Sequence, residues 1–464
     1  MRIRFCILAV LAALSVGLAV WAHGTVYAQR EAVTAEQVVL QGDPAMVEGV
    51  SLEMRTAMDR HLFWETEITA GPEITCDTDY TYSARERRSS SLHGSWGLRV
   101  DVMGDSGPTR EGDTEDLRGM QKPFNDVASR CPAGTENYTE TVRLRDYYEV
   151  FPLYVQNDFF DLLPASLEDN RFVIEGELDT PELQLQALLR AYFPIPVPED
   201  ATLEIVVDKN ENGEIGGYGG DALWLFDTYS VVREGGVYFV LSSVPGERPL
   251  NTSQFPLGYG VYFLPVELTP TETVDHQEAS TIHFGDPVRV CPVDPAVEYA
   301  YLYGEEEGAM YLFTQQQGTL SLTVLDETGA AVQTFPVLED LEEDRLSSVR
   351  FREGYLLAES IRDRFRVVET AGGTCRAALE GSLRAVWEEE TLASGYYGEP
   401  ALDYDGERLA YVGEMSEECA CFLALYGPEG LEYLGTYALS LGREVNCGLY
   451  DPENSTPLTV RLPR

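Results

Sequence analysis

Lysine is almost missing from this chain. Among 464 residues only Lys122 and Lys209 are lysines, the remaining 31 basic residues are arginines, and 78 aspartates and glutamates outnumber them to a formal net charge of −45. A surface this anionic repels phosphate backbones, so nucleic acid is excluded as a partner. The charge itself is read as a solubilising surface, with attraction for Ca²⁺ or cationic ligands as the sharper alternative. Histidine is scarce as well. The five, at 23, 61, 93, 276 and 283, form no His-Glu-x-x-His, and His276 and His283 have no chelate spacing, which argues against a histidine-rich metal site.

Other templates fail in turn. No Gly-x-Ser-x-Gly elbow and no sialidase-type Asp box is present. Gly104-Asp105-Ser106-Gly107-Pro108 is close to a serine-protease nucleophile loop. However, only His61 and His93 precede it in the mature chain, and the stretch before it is too short to build that fold, so it is read as a polar loop. Asp208-Lys-Asn210-Glu-Asn212-Gly213 begins like a Ca²⁺ loop, but Gly219 stands where a bidentate Glu is needed. It is read as a type I′ hairpin at Asn212-Gly213. The acidic runs Glu305–Glu307, Glu339–Asp344 and Glu388–Glu390 are read as solvated turns. With so many carboxylates, no glycosidase-type pair can be nominated. The sequence therefore names no catalytic, cofactor-binding or metal-ligating residue and implies no cofactor.

Cysteine is sparse. Seven remain after Cys6, an odd number. A Cys76–Cys131 bridge is plausible, and Cys419 or Cys421 could reach Cys447. Cys419-Ala-Cys421 places two thiols on one strand face, a soft-metal alternative to a disulfide plus a spare thiol. Asn137, Asn251 and Asn454 open glycosylation sequons.

Long apolar runs are confined to one place. Arg2 and Arg4 precede Phe5–Trp21, and Val26-Tyr27-Ala28 offers a small-x-small cleavage site before Gln29. That is an export signal, or an uncleaved anchor with the two arginines held in the cytoplasm. Residues 1–28 are thus read as signal peptide or membrane anchor, 29–48 as a polar linker or fraying arm, and 49–464 as one domain outside the cytoplasmic membrane, secreted or tethered. The membrane is met only through the N-terminal segment.

What is abundant is short alternating segments with tight turns, carried by 26 Tyr, 18 Phe and 41 Gly. From Glu298 to Leu439 one unit recurs three times. The first copy is Tyr299–Tyr303, Met310–Thr314, Thr319–Leu325 and Ala331–Val337, with turns at 304–308, 317–318 and 326–329. Leu320, Leu322 and Val324 alternate with Thr319, Ser321 and Thr323, the period of a half-buried strand. The second is Ser348–Arg352, Tyr355–Glu359, Arg364–Thr370 and Thr374–Leu379. The third is Ala401–Tyr404, Glu407–Val412, Cys421–Tyr426 and Leu431–Tyr437. Asp405-Gly406 and Glu353-Gly354 are hairpin signals. Ala401–Val412 (ALDYDGERLAYV) resembles the repeat of TolB-like propellers, in which a short strand, an Asp-Gly turn and an apolar strand recur, here without the usual preceding Ser-Pro. The resemblance covers about a dozen residues and implies a propeller.

Four-stranded units cannot bury both faces alone, and fanning them about an axis does so. The expected fold is therefore all-β, a β-propeller of about seven blades (six to eight), with one short inserted helix. Further strands are expected at Val50–Thr56, His61–Thr69, Glu73–Tyr82, Trp96–Met103, Thr139–Tyr148, Phe172–Leu178, Thr202–Asp208, Glu214–Tyr218, Leu223–Phe226, Val237–Leu241, Tyr259–Leu264, Thr281–Phe284 and Pro287–Cys291. Leu458–Leu462 is a lone strand that joins the first or last blade. Residues 104–137 are expected as a flexible lid or disordered excursion, and the loops 104–137, 157–171 and 382–398 as places to look for binding. The one helix outside the N-terminal segment is Thr180–Ala191, with Leu183, Leu188 and Leu189 as its apolar patch on the edge of the ring. The function expected is a non-enzymatic exported binding or scaffold protein for a protein, peptide or glycan ligand. The alternatives are a propeller hydrolase or lyase with carboxylates in the channel, and the ectodomain of a tethered sensor.

Overall fold

The computed structural model describes residues 2–57, 62–82, 100–101, 119, 121–155, 171–172, 181–220, 226–233, 235–243, 249–274, 277–304, 308–341, 344–370, 374–389, 392, 400–415, 420–440 and 458–464. The chain is mostly β and divides into two compact units, one made of Met1–Ser90 with Leu346–Arg464 and the other of Ser91–Arg345.

The three repeats form as antiparallel meanders. The first is Tyr299–Gly304, Met310–Gln316, Thr319–Leu325 and Ala331–Leu338, paired in chain order. Leu320, Leu322 and Val324 are buried, and Thr323, on the other face, hydrogen-bonds Thr334 across the strands at 3.0 Å. Its last turn is built by one side chain. Asp326 Oδ1 accepts from the N–H groups of Thr328 and Ala330, and Gly329 supplies φ +81°. The second repeat is Leu346–Arg352, Tyr355–Ser360, Arg364–Glu369 and Arg376–Ser382. The third is Ala401–Tyr404, Leu409–Met415, Ala420–Gly427 and Gly430–Ser440.

In the first unit, the third repeat lies between two others. The 51–82 sheet packs on one face of it through Leu52, Ile68, Val412, Leu423, Tyr433 and Tyr437. The second repeat packs on the other through Leu357, Phe365, Val367, Tyr411, Phe422 and Tyr426. Every residue of Ala420–Gly427 is buried, as in a strand covered on both faces.

Both ends of this unit are exchanged. Thr459–Arg461 pairs with Ser51–Glu53 and supplies the fourth strand of the sheet Ser51–Ala57, Leu62–Thr69, Thr75–Tyr82. This agrees with the expected joining of the C-terminal strand to the first blade. The strand expected at Trp96–Met103 does not complete that sheet. Its described part, Val100–Asp101, pairs with Tyr154–Val155. Residues 29–48, expected as a linker, instead hold the strand Thr34–Gln41, which pairs antiparallel with Gly430–Ser440 as a fifth strand of the third repeat. Its apolar residues, Ala35 and Val38–Leu40, follow no two-residue alternation and none from 34 to 41 is buried, so backbone pairing with a distant edge holds it and no periodicity reveals it.

The second unit departs further from expectation. Tyr138–Arg143, Thr202–Lys209 and Ile215–Gly220 form a three-stranded sheet. The strand expected over Thr139–Tyr148 stops at Arg143, where a 3-10 turn at Leu144–Asp146 follows. Within 104–137, expected as a lid, a helix runs from Lys122 to Arg130 with Val127 and Ala128 in the core; residues 102–118 lie outside the described set. The helix Pro181–Tyr192 occurs as expected; among its described side chains the buried leucines are Leu185 and Leu189, one turn apart, Leu188 is half-buried, and Leu183 lies outside that set. Phe193, just beyond it, meets Phe239, Phe255 and Tyr262 edge-on at 4.8–5.6 Å, so this helix packs into a core rather than on an edge. Phe226–Arg233, Gly236–Ser243, Gly260–Val274, Gln277–Phe284, Val288–Pro292 and Arg171–Phe172 make the remaining, six-stranded sheet; Arg171–Phe172 pairs parallel with Gln277–Phe284, and of the strand expected at Phe172–Leu178 only Phe172 lies within the described residues. The 15-residue Gly260–Val274 changes partner midway, from Gly236–Phe239 to Gln277–Phe284.

Asn212-Gly213 turns the chain, but not as a type I′ loop. Only Gly213 has positive φ (+82°), and Asn210 Oδ1 accepts from the N–H groups of Asn212 and Glu214. This is the arrangement at Asp326 built on a neutral side chain.

Candidate functional site

Two polar clusters stand out, one in each unit, and both involve the first strand of a sheet. In the second unit, Phe226–Arg233 and Tyr299–Gly304 open neighbouring sheets, joined where Ala300 N–H donates to the buried Ser242 Oγ at 2.9 Å. Alternation brings Asp227 and Tyr229 to the side that meets Tyr299 and Tyr301. The Tyr299 hydroxyl donates to that of Tyr229 at 3.0 Å, and Tyr229 in turn reaches Asp227 Oδ2 at 3.5 Å. The Tyr229 ring centroid lies 5.9 Å from Tyr299 and 4.5 Å from Tyr301. Burial pushes the Tyr229 phenol up to about 12 and that of Tyr299 still higher; the Arg345 charge opposes this at Tyr229. These phenols stay protonated at neutral pH, so they act as hydrogen-bond donors and flat contact surfaces and not as bases. In part this is ordinary inter-sheet packing: Tyr299 is buried, whereas Tyr229 and Tyr301 keep partial exposure.

The first unit carries a buried charge pair. Ser348 and Arg350 alternate on Leu346–Arg352, and Glu359 faces Ser348 across the ladder. Ser348 Oγ donates to Glu359 Oε2 at 2.7 Å, and Arg350 Nη1 bonds the same oxygen and lies 2.9 Å from Ser348 Oγ. Glu359 is 6% exposed, and its second oxygen, Oε1, is buried without a hydrogen-bond partner. On the opposite face Arg364 and Arg366 grip Glu380 at 2.6 and 2.5 Å. Tyr404, whose phenol burial pushes up to about 12, donates to Glu369 Oε1 at 3.3 Å.

None of these groups was singled out by the sequence. The strand carrying Asp227 and Tyr229 was expected to end at Phe226, and Ser348, Arg350 and Glu359 are ordinary strand residues until pairing sets them side by side. The sequence motifs lie elsewhere. Asp208 accepts from Asn137 N–H, and Asn210 is committed to its turn. The Gly104–Pro108 loop, His61, His93, His276, Cys419, Cys447, Asn454 and Glu305–Glu307 lie outside the described residues. Of the acidic run 339–344, expected as solvated, Asp344 is buried, with its backbone carbonyl accepting from the Gln315 amide at 2.6 Å. Cys76 and Cys131 are free thiols rather than a bridge, since each is held in local packing. Cys76 Sγ is 3.9 Å from Thr78 Oγ1, and Cys131 Sγ is 3.8 Å from the Val207 carbonyl. Cys421 Sγ lies 3.8 Å from Met54 Sδ.

No protein-family model and no curated relative matches the chain. Among solved structures, the β-propeller domain of Cps50 (Swd1) from Myceliophteria thermophila is similar over 51% of this chain and 92% of its own, at 11% identity and a TM-score of 0.20. A likeness this slight carries no argument. The resemblance of Ala401–Val412 to the TolB-like repeat rests on those residues alone.

Proposed function

We propose that the protein is an exported, non-enzymatic binding or scaffold protein. In this reading it is a β-propeller of about seven blades, and its peptide, glycan or partner-domain ligand is taken where the first strands of the sheets face the axis. Six sheets of three or more strands among the described residues fit that count. So does the exchange of chain ends, in which the last strand completes the first sheet and the first strand extends the last. Export is supported by Arg2, Arg4 and the apolar run, and by Leu14, Val16, Leu18, Val20 and Trp21, which are 58–69% exposed on the N-terminal helix. Side chains of that kind need lipid or removal.

The observation that carries the binding reading is the Tyr229–Tyr299–Tyr301 cluster with Asp227. Rigid aromatic rings with polar tips give large contact area at small entropic cost and dominate recognition surfaces. The test is capture from the native envelope on immobilised wild-type chain and on a Tyr229→Ala/Tyr301→Ala variant of unchanged melting temperature. A species held by the wild type is expected to bind the variant at least about 30-fold more weakly, the effect of losing a 2 kcal/mol hot spot. Equal retention by both chains sinks this placement.

The second reading, a hydrolase or lyase, is favoured by one feature, the bare buried oxygen of Glu359 beside Arg350. Turnover of any envelope glycan or peptide by wild type but not by Glu359→Gln of equal stability would replace the first reading with the second.

A further inference from the structure

The N-terminal helix, α1, runs from Arg2 to Gln29 and passes unbroken through the Val26-Tyr27-Ala28 site. Its last turns are not loose. The Tyr80 hydroxyl, on the strand Thr75–Tyr82, lies 2.6 Å from His23 Nδ1. Its ring centroid is 5.7 Å from His23 and 6.0 Å from Tyr27, both edge-on, and 5.7 Å from the buried Trp64. The Arg30 guanidinium sits 3.9 Å over the Tyr27 ring. Between α1 and the strand Thr34–Gln41 there are only the 3-10 turn Arg30–Ala32 and the buried Val33, so no slack separates helix and sheet.

We propose that α1 is retained in the mature protein as a membrane anchor, and that His23, Tyr27, Arg30 and Tyr80, the last backed by the buried Trp64, seat the 51–82 sheet at the outer face of the bilayer. Three physical arguments converge. Proteolysis concentrates in exposed, loosely held segments, whereas this site lies in hydrogen-bonded helix docked on a folded sheet. The apolar run Phe5–Trp21 spans roughly 26 Å at 1.5 Å per residue, near the hydrocarbon thickness, which places the docked turns at the headgroup level. Aromatic rings and arginine are the residues enriched at that level. Among the described residues no helix is long and apolar enough to cross a membrane; the run begins before residue 13, in the part of α1 whose side chains are outside that set. A protein carrying −45 is repelled by anionic headgroups, so the seat depends on apolar insertion and interfacial rings rather than on charge.

The inference rests on the export reading, and the experiment separates the two. The full chain is produced in a bacterial host, and protease added to spheroplasts reports export whatever happens to α1. Intact mass and carbonate washing of the membrane fraction then report retention. The expected result is a carbonate-resistant chain that still holds residues 1–28. His23→Ala and His23→Ala/Tyr80→Ala should raise the fraction beginning at Gln29 several-fold, the double variant more than the single. His23 is exposed, so the single variant does not threaten the fold. A wild-type chain that starts at Gln29 and washes free overturns the proposal. So does a wild-type chain retained no better than either variant, which would mean the cluster plays no part.

Discussion

The sheet 299–338 and the sheet 51–82 are both four-stranded and antiparallel, yet they are assembled in opposite ways. In the first, every strand pairs with its neighbour in the chain, with only a few residues between one strand and the next. In the second, three strands are local and the fourth, Thr459–Arg461, arrives about 400 residues later to pair with Ser51–Glu53. Closing so long a loop adds only slowly to the entropic cost, but the sheet stays incomplete until the whole chain is made. One sheet is specified by its own residues, the other by the fate of the chain ends.

The largest expected effect breaks this contrast directly. A chain ending at Pro457 loses the buried Val460 and Leu462, the ladder to Ser51–Glu53, and the 2.6 Å bond from Leu462 N–H to Asp403. The edge of Ser51–Ala57 is then bare, and an unprotected edge invites aggregation. In hydrogen exchange read by mass spectrometry, protection should collapse over 51–82 and fall over 401–440, whereas 299–338 keeps its slow amides. Unchanged protection at 51–82 would show that the far strand is dispensable.

The same contrast explains what could be read beforehand. Over 299–440 the strands lie within a few residues of where the sequence puts them, because Asp-x-x-Gly and Asp-Gly turns punctuate apolar runs, whether alternating at their start as in Thr319–Leu325 or continuous as in Ala420–Gly427. The strand Thr34–Gln41 is hidden in the sequence because its partner, Gly430–Ser440, is distant and its apolar residues Val38, Val39 and Leu40 run together without alternation. Phe226–Arg233 was cut short because Asp227, Thr228 and Ser230 break the apolar pattern although Thr228 and Ser230 are buried in the sheet. The polar clusters were invisible for a related reason. Glu359 meets Ser348 and Arg350, and Tyr229 meets Tyr299, only after register and sheet stacking are fixed, and neither leaves a spacing in the sequence.

A local sheet also contains its own charge compensation, which gives the next effect in size. Arg350→Met removes the partner of Glu359 and leaves a carboxylate 6% exposed with nothing but Ser348 to bond. The expected loss is about 3–5 kcal/mol, the usual cost of orphaning a buried charge. The double variant Arg350→Met/Glu359→Leu should recover most of it, because burying neither charge is cheaper than burying one. Urea midpoints for the two variants decide the matter. A double variant as unstable as the single would mean that packing of the arginine stem, and not the charge, sets the stability.

The smallest effect compares two turns of one design. Asp326 and Asn210 each accept two backbone N–H groups ahead of a positive-φ glycine, but only Asp326 titrates. The Thr328 hydroxyl, with the N–H groups of Ala330 and Thr328, holds the Asp326 carboxyl below its ordinary value. A depressed folded value means that its contribution is complete above the unfolded carboxylate value and is lost as pH falls through the folded one. Wild type should therefore exceed Asp326→Ala in urea midpoint by more at pH 7 than at about pH 3. The margin over Asn210→Ala should stay level between those values as far as this turn is concerned, since a carboxamide gains no proton. An Asp326→Ala margin that is flat with pH would show that the turn is held by its glycine and backbone bonds alone, and that the aspartate, for all its visibility in the sequence, adds no charge-dependent stability.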